Sequence, residues 1–321
     1  MKEWLSVAAL ACSWLAGVVP VYSAELYPSR PIHLIVPFAP GQVTDWLGRF
    51  LADAMTQELG QPVVVENRPG LSGVIGTAYA ARQAPDGYTL TISSNGTHSA
   101  APSLYKSVSY DPVEDFSHVS GLMSLPWMMM VRDDFPARNF DEFLAYARAH
   151  PGELTVGYGS SSSRLCVHLL RTLGRLDIVD VPYKSLGQTI LDVRSGQLKF
   201  TFLDIGSAMA QQQGGALRGL AVTAAARSSV VPDVPSAAES LPDYHMESWL
   251  GLAAPKGTDP DIVAKLRKTL DKILSAPDTK QRIAVYGGEI MNMNGGQVVE
   301  LIRGENQIWA KFAVETGIQK E

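Results

Sequence analysis

Two kinds of apolar patterning alternate along the chain. "IHLIVPF" (residues 32–38) is a nearly continuous apolar run, the pattern of a strand covered on both faces. From Thr44 the apolar positions Leu47, Phe50, Leu51 and Met55 recur at helical spacing, and Gly60 supplies a stop. "PVVVEN" reads as a strand, "GVIGTAYAARQA" as a helix, "PDGY" as a turn and "TLTIS" as a strand. The order β-α-β-α-β predicts an α/β protein with a parallel sheet and helices on its faces.

A second series of the same kind follows. "DEFLAYARAH", "RLCVHLLRTLG" and "GQTILDVRSG" have helical patterning, while "LTVGYG", "DIVDVPY", "LKFTFLD" and "ALRGLAVT" read as strands. Between the two series lies "SGLMSLPWMMMV", apolar and Pro-bearing, which predicts a crossing from one lobe to another. "VVPDVPSAAESLPDY" leads into "SWLGLAAP", the expected return crossing. Two amphipathic helices near residues 261–274 and 297–312 close the chain and are expected to pack on the first lobe. Residues 25–124 with 247–321 are thus assigned to lobe 1, and residues 125–246 to lobe 2. No repeat of fixed period and no low-complexity tract interrupts this order.

Composition narrows the function. The chain has 321 residues, 46% hydrophobic and 18% charged, enough for a substantial core. Its net charge of -5 and the lack of a basic block argue against nucleic acid as a partner. Lys2, the apolar run of residues 4–19, Pro20 and then Ser23-Ala24 read as a secretory signal peptide over residues 1–24. A membrane anchor is the rival reading, but the run is shorter than the ~20 residues of a span. Ala9 stands where a leucine is expected for lipidation at Cys12. Removal of the leader leaves Cys166 as the single cysteine, so no intrachain disulfide is expected despite export. The periplasm is the expected compartment.

Ligands of open parallel sheets collect beyond the carboxyl ends of the strands, and small-molecule sites favour lobe interfaces. Four strand-end loops share a composition rich in Gly, Ser and Thr. They are "FAPGQVTD", "SSNGTHS" (93–99), "YGSSSSR" (158–164) and "DIGSA" (204–208), with "VPYKS" (181–185) of similar type. Hydroxyls and free backbone N–H groups at a helix start suit an anion, particularly a carboxylate. Ordinary turn and N-cap chemistry is the plainer alternative. The candidate ligand residues are Phe38, Ala39, Gln42, Val43, Thr44, Asp45 and Trp46 in the first loop. The second loop offers Ser94, Asn95, Thr97 and His98. Ser160, Ser161, Ser162, Ser163 and Arg164 form the third set, with Trp127, Tyr183 and Asp204 beside them.

Several of these carry opposing readings. Asp45 beside an anion would repel it, so it is read as capping the helix or fastening the loop. Arg164 at a helix start opposes the macrodipole; a bidentate clamp on a carboxylate would explain it, and a solvated surface arginine is the alternative. Trp46 and Trp127 either line the cleft or belong to the core. His98 is a possible base without a sequence partner; a ligand hydrogen bond is the simpler role. The six histidines show no metal-ligand spacing, and no H-E-x-x-H or G-x-S-x-G motif is found. "GLSGVIG" fails the dinucleotide spacing, and Cys166 is expected to be buried and inert. No cofactor or metal is expected, and a monomer is.

The motifs "YPSRPIHLIVPFAPG", "GQPVVVENRPG", "APDGYTL", "GTHSAAPSLY", "YDPVEDF", "DIVDVPYK" and "LRGLAVT…RSSVVPDVPSAAES" resemble, in this order, the Bug family. These are the TctC-like periplasmic solute receptors of tripartite tricarboxylate transporters. The resemblance spans essentially the whole mature chain. It implies a two-lobed "Venus flytrap" fold (type II-like) with two crossing segments as a hinge. It also implies a binding protein, not an enzyme, that captures an organic acid and delivers it to membrane permease subunits. Main-chain groups and hydroxyls of the strand-end loops hold the ligand carboxylate in that family. The first loop departs from the family's glycine-rich pattern: Gln42 and Val43 replace two glycines. Ser162, Ser163 and Arg164 stand where serine, threonine and histidine are usual. Trp127 replaces a small polar residue, and Ser185 a glycine. The bulk and charge of Arg164, Trp46 and Trp127 together point to an aromatic or dicarboxylic acid as ligand. A ligand-sensing receptor subunit and an exported hydrolase using His98 or a loop serine are the other readings.

Overall fold

The computed structural model describes residues 27–320; the expected leader falls outside them. The chain opens with β1 (Ile32–Val36), α1 (Val43–Leu59), β2 (Val63–Asn67), α2 (Val74–Ala81) and β3 (Thr89–Ser94). β1 pairs in parallel with both β2 and β3, the arrangement the β-α-β-α-β order predicts. A single π-helical turn (Asn95–Ala100) and the short α3 (Ala101–Leu104) lead to the 17-residue β4 (Phe116–Arg132). The second series contains α4 (Phe140–Ala149), β5 (Leu154–Tyr158), α5 (Ser161–Gly174) and β6 (Ile178–Pro182). It continues through α6 (Leu186–Ser195), β7 (Phe200–Asp204), α7 (Ile205–Gln213) and β8 (Leu217–Val222). The chain returns as β9 (Glu247–Pro255) and ends with α8 (Pro260–Leu274), α9 (Pro277–Val285), β10 (Glu289–Asn294) and α10 (Gly295–Glu315).

β4 belongs to both lobes. Its first part, Phe116 to Pro126, pairs antiparallel with β9, and β10 joins it as far as Ser124. Its last part, Trp127 to Arg132, pairs with β7 and β8. The result is one curled mixed sheet in the order β2-β1-β3-β9-β4-β7-β5-β6. Pro126 occupies the one place where such a strand tolerates it. There β10 has ended at Ser124 and β7 begins only at Trp127, so no ladder donor is missing on that side. The crossing predicted from "SGLMSLPWMMMV" is therefore a continuous strand rather than a linker.

The first core gathers Ile32, Leu34, Val36, Leu47, Leu51 and Leu90, with Leu266 and Leu270 of α8 closing it. In the second lobe, Met129 and Val131 face one core with Phe200 and Phe202, while Met128 and Met130 face another with Leu203. This two-sided burial is why the strand reads as an unbroken apolar run. α10 departs from the expected packing on the first lobe alone. Val298 and Ile302 pack beside Trp249, but Trp309 and Phe312 join the core of the second lobe. Its 21 residues span about 30 Å, long enough to reach both.

Candidate functional site

A cleft of about 610 Å³ opens between the lobes. One wall comes from the loop after β1 and the turn after β3, through Phe38, Val43, Thr44, Ser94, Asn95 and Gly96. The opposite wall is the β7–α7 junction, with Asp204, Gly206 and Ser207. The floor is made by the two crossings: Leu125 and Trp127 of β4, and Ser248, Trp249 and Leu250 of β9.

Asp45 builds the first wall. Its carboxylate accepts the Gly41 N–H at 2.9 Å, Asn67 Nδ2 at 2.9 Å and Arg49 Nε at 3.1 Å. Asn67 also donates to the Phe38 carbonyl at 3.1 Å, so the loop is tied to β2 at two points. Burial opposes the charge on Asp45, but the bonds from Arg49, Gly41 and Asn67 outweigh it and hold the carboxyl below its ordinary range. Asp45 thus fastens the loop. Gly41, at φ +86°, makes the turn that brings its N–H round to Asp45.

The start of α1 is left open. Gln42 is the N-cap residue and makes no side-chain cap bond. The first N–H groups of the helix have no intrahelical acceptor. Thr44 and Asn95 are 6% and 7% exposed, and both line the cleft. Neither side chain has a hydrogen-bond partner among the described residues. Across the cleft, Asp204 Oδ1 accepts the Ser207 N–H at 2.8 Å and caps α7; its other oxygen has no partner among the described residues.

Thr97 and His98 turn away from the cleft. Ser94 Oγ accepts the Thr97 N–H at 3.2 Å, Thr97 Oγ1 lies 2.9 Å from His98 Nδ1, and Tyr110 donates to the Thr97 carbonyl at 2.6 Å. His98 is fully buried against Phe116, at 4.8 Å between ring centroids, and His118, at 5.5 Å. Burial, with the neighbouring His118, pushes its pKa well below the ordinary histidine value. Burial likewise pulls His118 down to about 4, against a bond to the Pro112 carbonyl that favours the charged form. His98 is a neutral core residue here.

The two tryptophans have different places. Trp127 lines the floor and donates from Nε1 to Ser248 Oγ at 3.2 Å, joining the two crossings. Trp46 lies outside the cleft lining, between Phe50 at 5.7 Å and Tyr286 at 4.2 Å. It therefore supports Tyr286, which does line the cleft. In the first loop Ala39 is half-buried and Gln42 exposed, and neither is part of that lining.

The third loop is elsewhere. Ser160 and Ser163 form a reciprocal cap on α5, with Ser160 Oγ accepting the Ser163 N–H at 3.1 Å. Ser162 is half-buried beside them. Ser160, Ser161, Arg164 and Tyr183 border a second cavity of about 250 Å³, shared with Tyr105 and Gln319. The Arg164 guanidinium lies 5.3 Å from the Tyr158 ring, and its Nε is buried without a partner. The fold thus brings Phe38, Val43, Thr44, Ser94, Asn95, Trp127 and Asp204 together and leaves Arg164 with the serines apart.

Val285 and Tyr286 were not foreseen as site residues. They end α9, a short and largely polar helix whose pattern is weak; the Gly287-Gly288 pair after "AVY" was the available turn signal. That turn also bridges the lobes. A Cβ on Gly287, at φ +72°, would fall 2.5 Å from the Gly206 nitrogen, and Glu289 accepts the Ser229 N–H at 2.7 Å. Among the described residues no helix is long and apolar enough to cross a membrane.

A family model described as TctC, the tripartite tricarboxylate transporter family receptor, matches residues 47–318. The chain belongs to this family. The family's members are periplasmic solute-binding receptors, not enzymes. The chain is 35% identical to Protein BugT of Bordetella pertussis over 308 residues, 94% of each chain. Among solved structures, a Rhodopseudomonas palustris protein with bound adipate is 30% identical, with a TM-score of 0.73 over 92% of this chain and 100% of its own. MatC from the same organism, with bound malate, is 32% identical, with a TM-score of 0.68 over 89% of this chain and 99% of its own. The Asp45-fastened loop, the turn after β3 and the β7–α7 junction are where this TctC chain opens its cleft.

Proposed function

We propose that the protein captures a small organic carboxylate in the interlobe cleft and delivers it to the membrane permease subunits of a tripartite transporter. One observation carries the reading. Thr44 and Asn95 are buried, polar and unpartnered among the described residues, and they stand beside a 17-residue helix whose start has no side-chain cap there. An anion placed there gains two side-chain donors and the free N–H groups of α1. Relatives with adipate and with malate bound support the ligand class, and family membership supports the permease partner. Contacts made to the same ligand from both walls would favour the closed state, which is how binding and lobe closure are coupled.

A thermal-shift screen against organic acids tests the reading, because a ligand held only by the folded state raises its stability. At least one acid should raise the midpoint, and Thr44→Val should weaken that acid about tenfold, the loss of roughly one charge-assisted hydrogen bond. An undiminished shift in the variant would place the ligand elsewhere.

A further inference from the structure

Granting the carboxylate site proposed above, the cleft's walls say more about which carboxylate it takes. Charge comes first. Among the described residues, no Lys, Arg or His side chain lines the cleft, and its only carboxylate side chain is that of Asp204. Arg164, the basic residue among the strand-end loop candidates, borders the other cavity. The second feature is the body of the cleft. Phe38, Leu125, Trp127, Leu250, Val285 and Tyr286 supply most of its apolar lining. The third is the separation of those ends. Thr44 and Asn95 belong to the first wall and can donate. Asp204 belongs to the opposite wall, and its free oxygen can only accept.

A dicarboxylate fits this arrangement badly. With one end at Thr44 and Asn95, its second carboxylate meets either Asp204, with Ser207 beside it, or a mostly apolar wall whose polar groups are the neutral hydroxyls of Ser248 and Tyr286. The first is a like-charge contact in a partly desolvated space, where repulsion is stronger than in water. The second leaves a partly buried charge with no cation to balance it. A ligand whose far end carries a hydrogen-bond donor makes a charge-assisted bond to Asp204 instead. A ring between the two ends matches the apolar walls. We propose that the cleft selects a monocarboxylate with a ring-sized apolar body and a hydroxyl or amino donor opposite the carboxylate. Asp204 reads that donor and rejects a second carboxylate.

Isothermal titration of the full chain with 4-hydroxyphenylacetate, phenylacetate, adipate and malate separates the outcomes. The hydroxylated aromatic acid should bind at least about tenfold tighter than each of the other three. Asp204→Asn preserves the cap on α7, since Asn and Asp are comparable N-caps; an unchanged melting temperature checks this. In that variant the advantage of the hydroxylated over the plain aromatic acid should fall below about threefold, and adipate should bind more tightly than to the native chain. Equal affinity of the two aromatic acids for the native chain would overturn the proposal. So would tighter binding of adipate or malate than of either aromatic acid, or an equal effect of Asp204→Asn on all four. If a dicarboxylate binds best and Thr44→Val abolishes it, the cleft remains a carboxylate site and only the selectivity fails. If none of the four binds, the selectivity proposal falls, and the wider thermal-shift screen decides the carboxylate site separately.

Discussion

Single residues set the shape and the pH response of the first lobe. Asp45→Ala removes the acceptor for Gly41, Asn67 and Arg49 and should cost about 1–3 kcal/mol in urea unfolding at neutral pH. The carboxyl is held below its ordinary value, so its contribution is present above the unfolded pKa of about 3.9 and disappears as pH falls through the folded value. The gap between native and variant chains should therefore close in acid. His118 acts in a different window. Its folded pKa is about 4, below the ordinary histidine value of about 6.5, so the unfolded chain binds the extra proton between them. Stability should fall on acidification from pH 6.5 to 4, by up to about 3 kcal/mol from this residue. His118→Gln, which keeps a donor for the Pro112 carbonyl, should flatten the melting-temperature profile over that range. Much of this scale was legible in sequence. Thr44 and Asn95 stood out because polar donors at strand ends are a local signal. Arg164 did not resolve the same way, since which cavity a side chain enters depends on how the lobes meet.

At the scale of elements, the β-α-β-α-β opening could be read from periodicity because each element carries its own pattern and stop. β10 and α9 could not. "EIMNMN" mixes polar and apolar residues on a partly exposed edge, and "PDTKQRIAV" is short. The dual membership of β4 is a non-local fact: both partners of its second half arrive more than sixty residues later. The reach of α10 is non-local in the same way. Trp309 is 2% exposed within the second lobe's core. Trp309→Ala should destabilise the protein by about 3–5 kcal/mol, and hydrogen exchange should show the loss in α5 and the end of α10.

At the scale of the whole molecule, the lobes meet at the cleft mouth through glycine. Gly206 and Gly287 approach so closely that a methyl group on Gly287 must displace the other lobe or bend the turn, whereas one on Gly206 would sit 3.3 Å from the Tyr286 carbonyl oxygen. Gly287→Ala adds the strain of φ +72° to that collision. It should hold the mouth ajar, weaken ligand binding about tenfold and lower the melting temperature, with titration and calorimetry as the readouts. A larger effect on affinity than on stability is the expected signature, because the collision acts where the walls must come together.

The path of α10 has a mechanical consequence. β4 and β9 form a flexure in front, and the helix ties the same two bodies together behind it, anchored by Trp309 and Phe312 at one end and Val298 and Ile302 at the other. A joint with an off-axis tie does not swing freely: the tie must bend, or its anchors must slide. Packed aromatic anchors resist sliding, since interiors have little spare volume. The travel available to the lobes is then short, so closure about a ligand is a small movement. Such stiffness lowers the ordering cost of capture. It also means that any partner that opens the cleft would have to work against the tie, and the outer face of α10 is exposed.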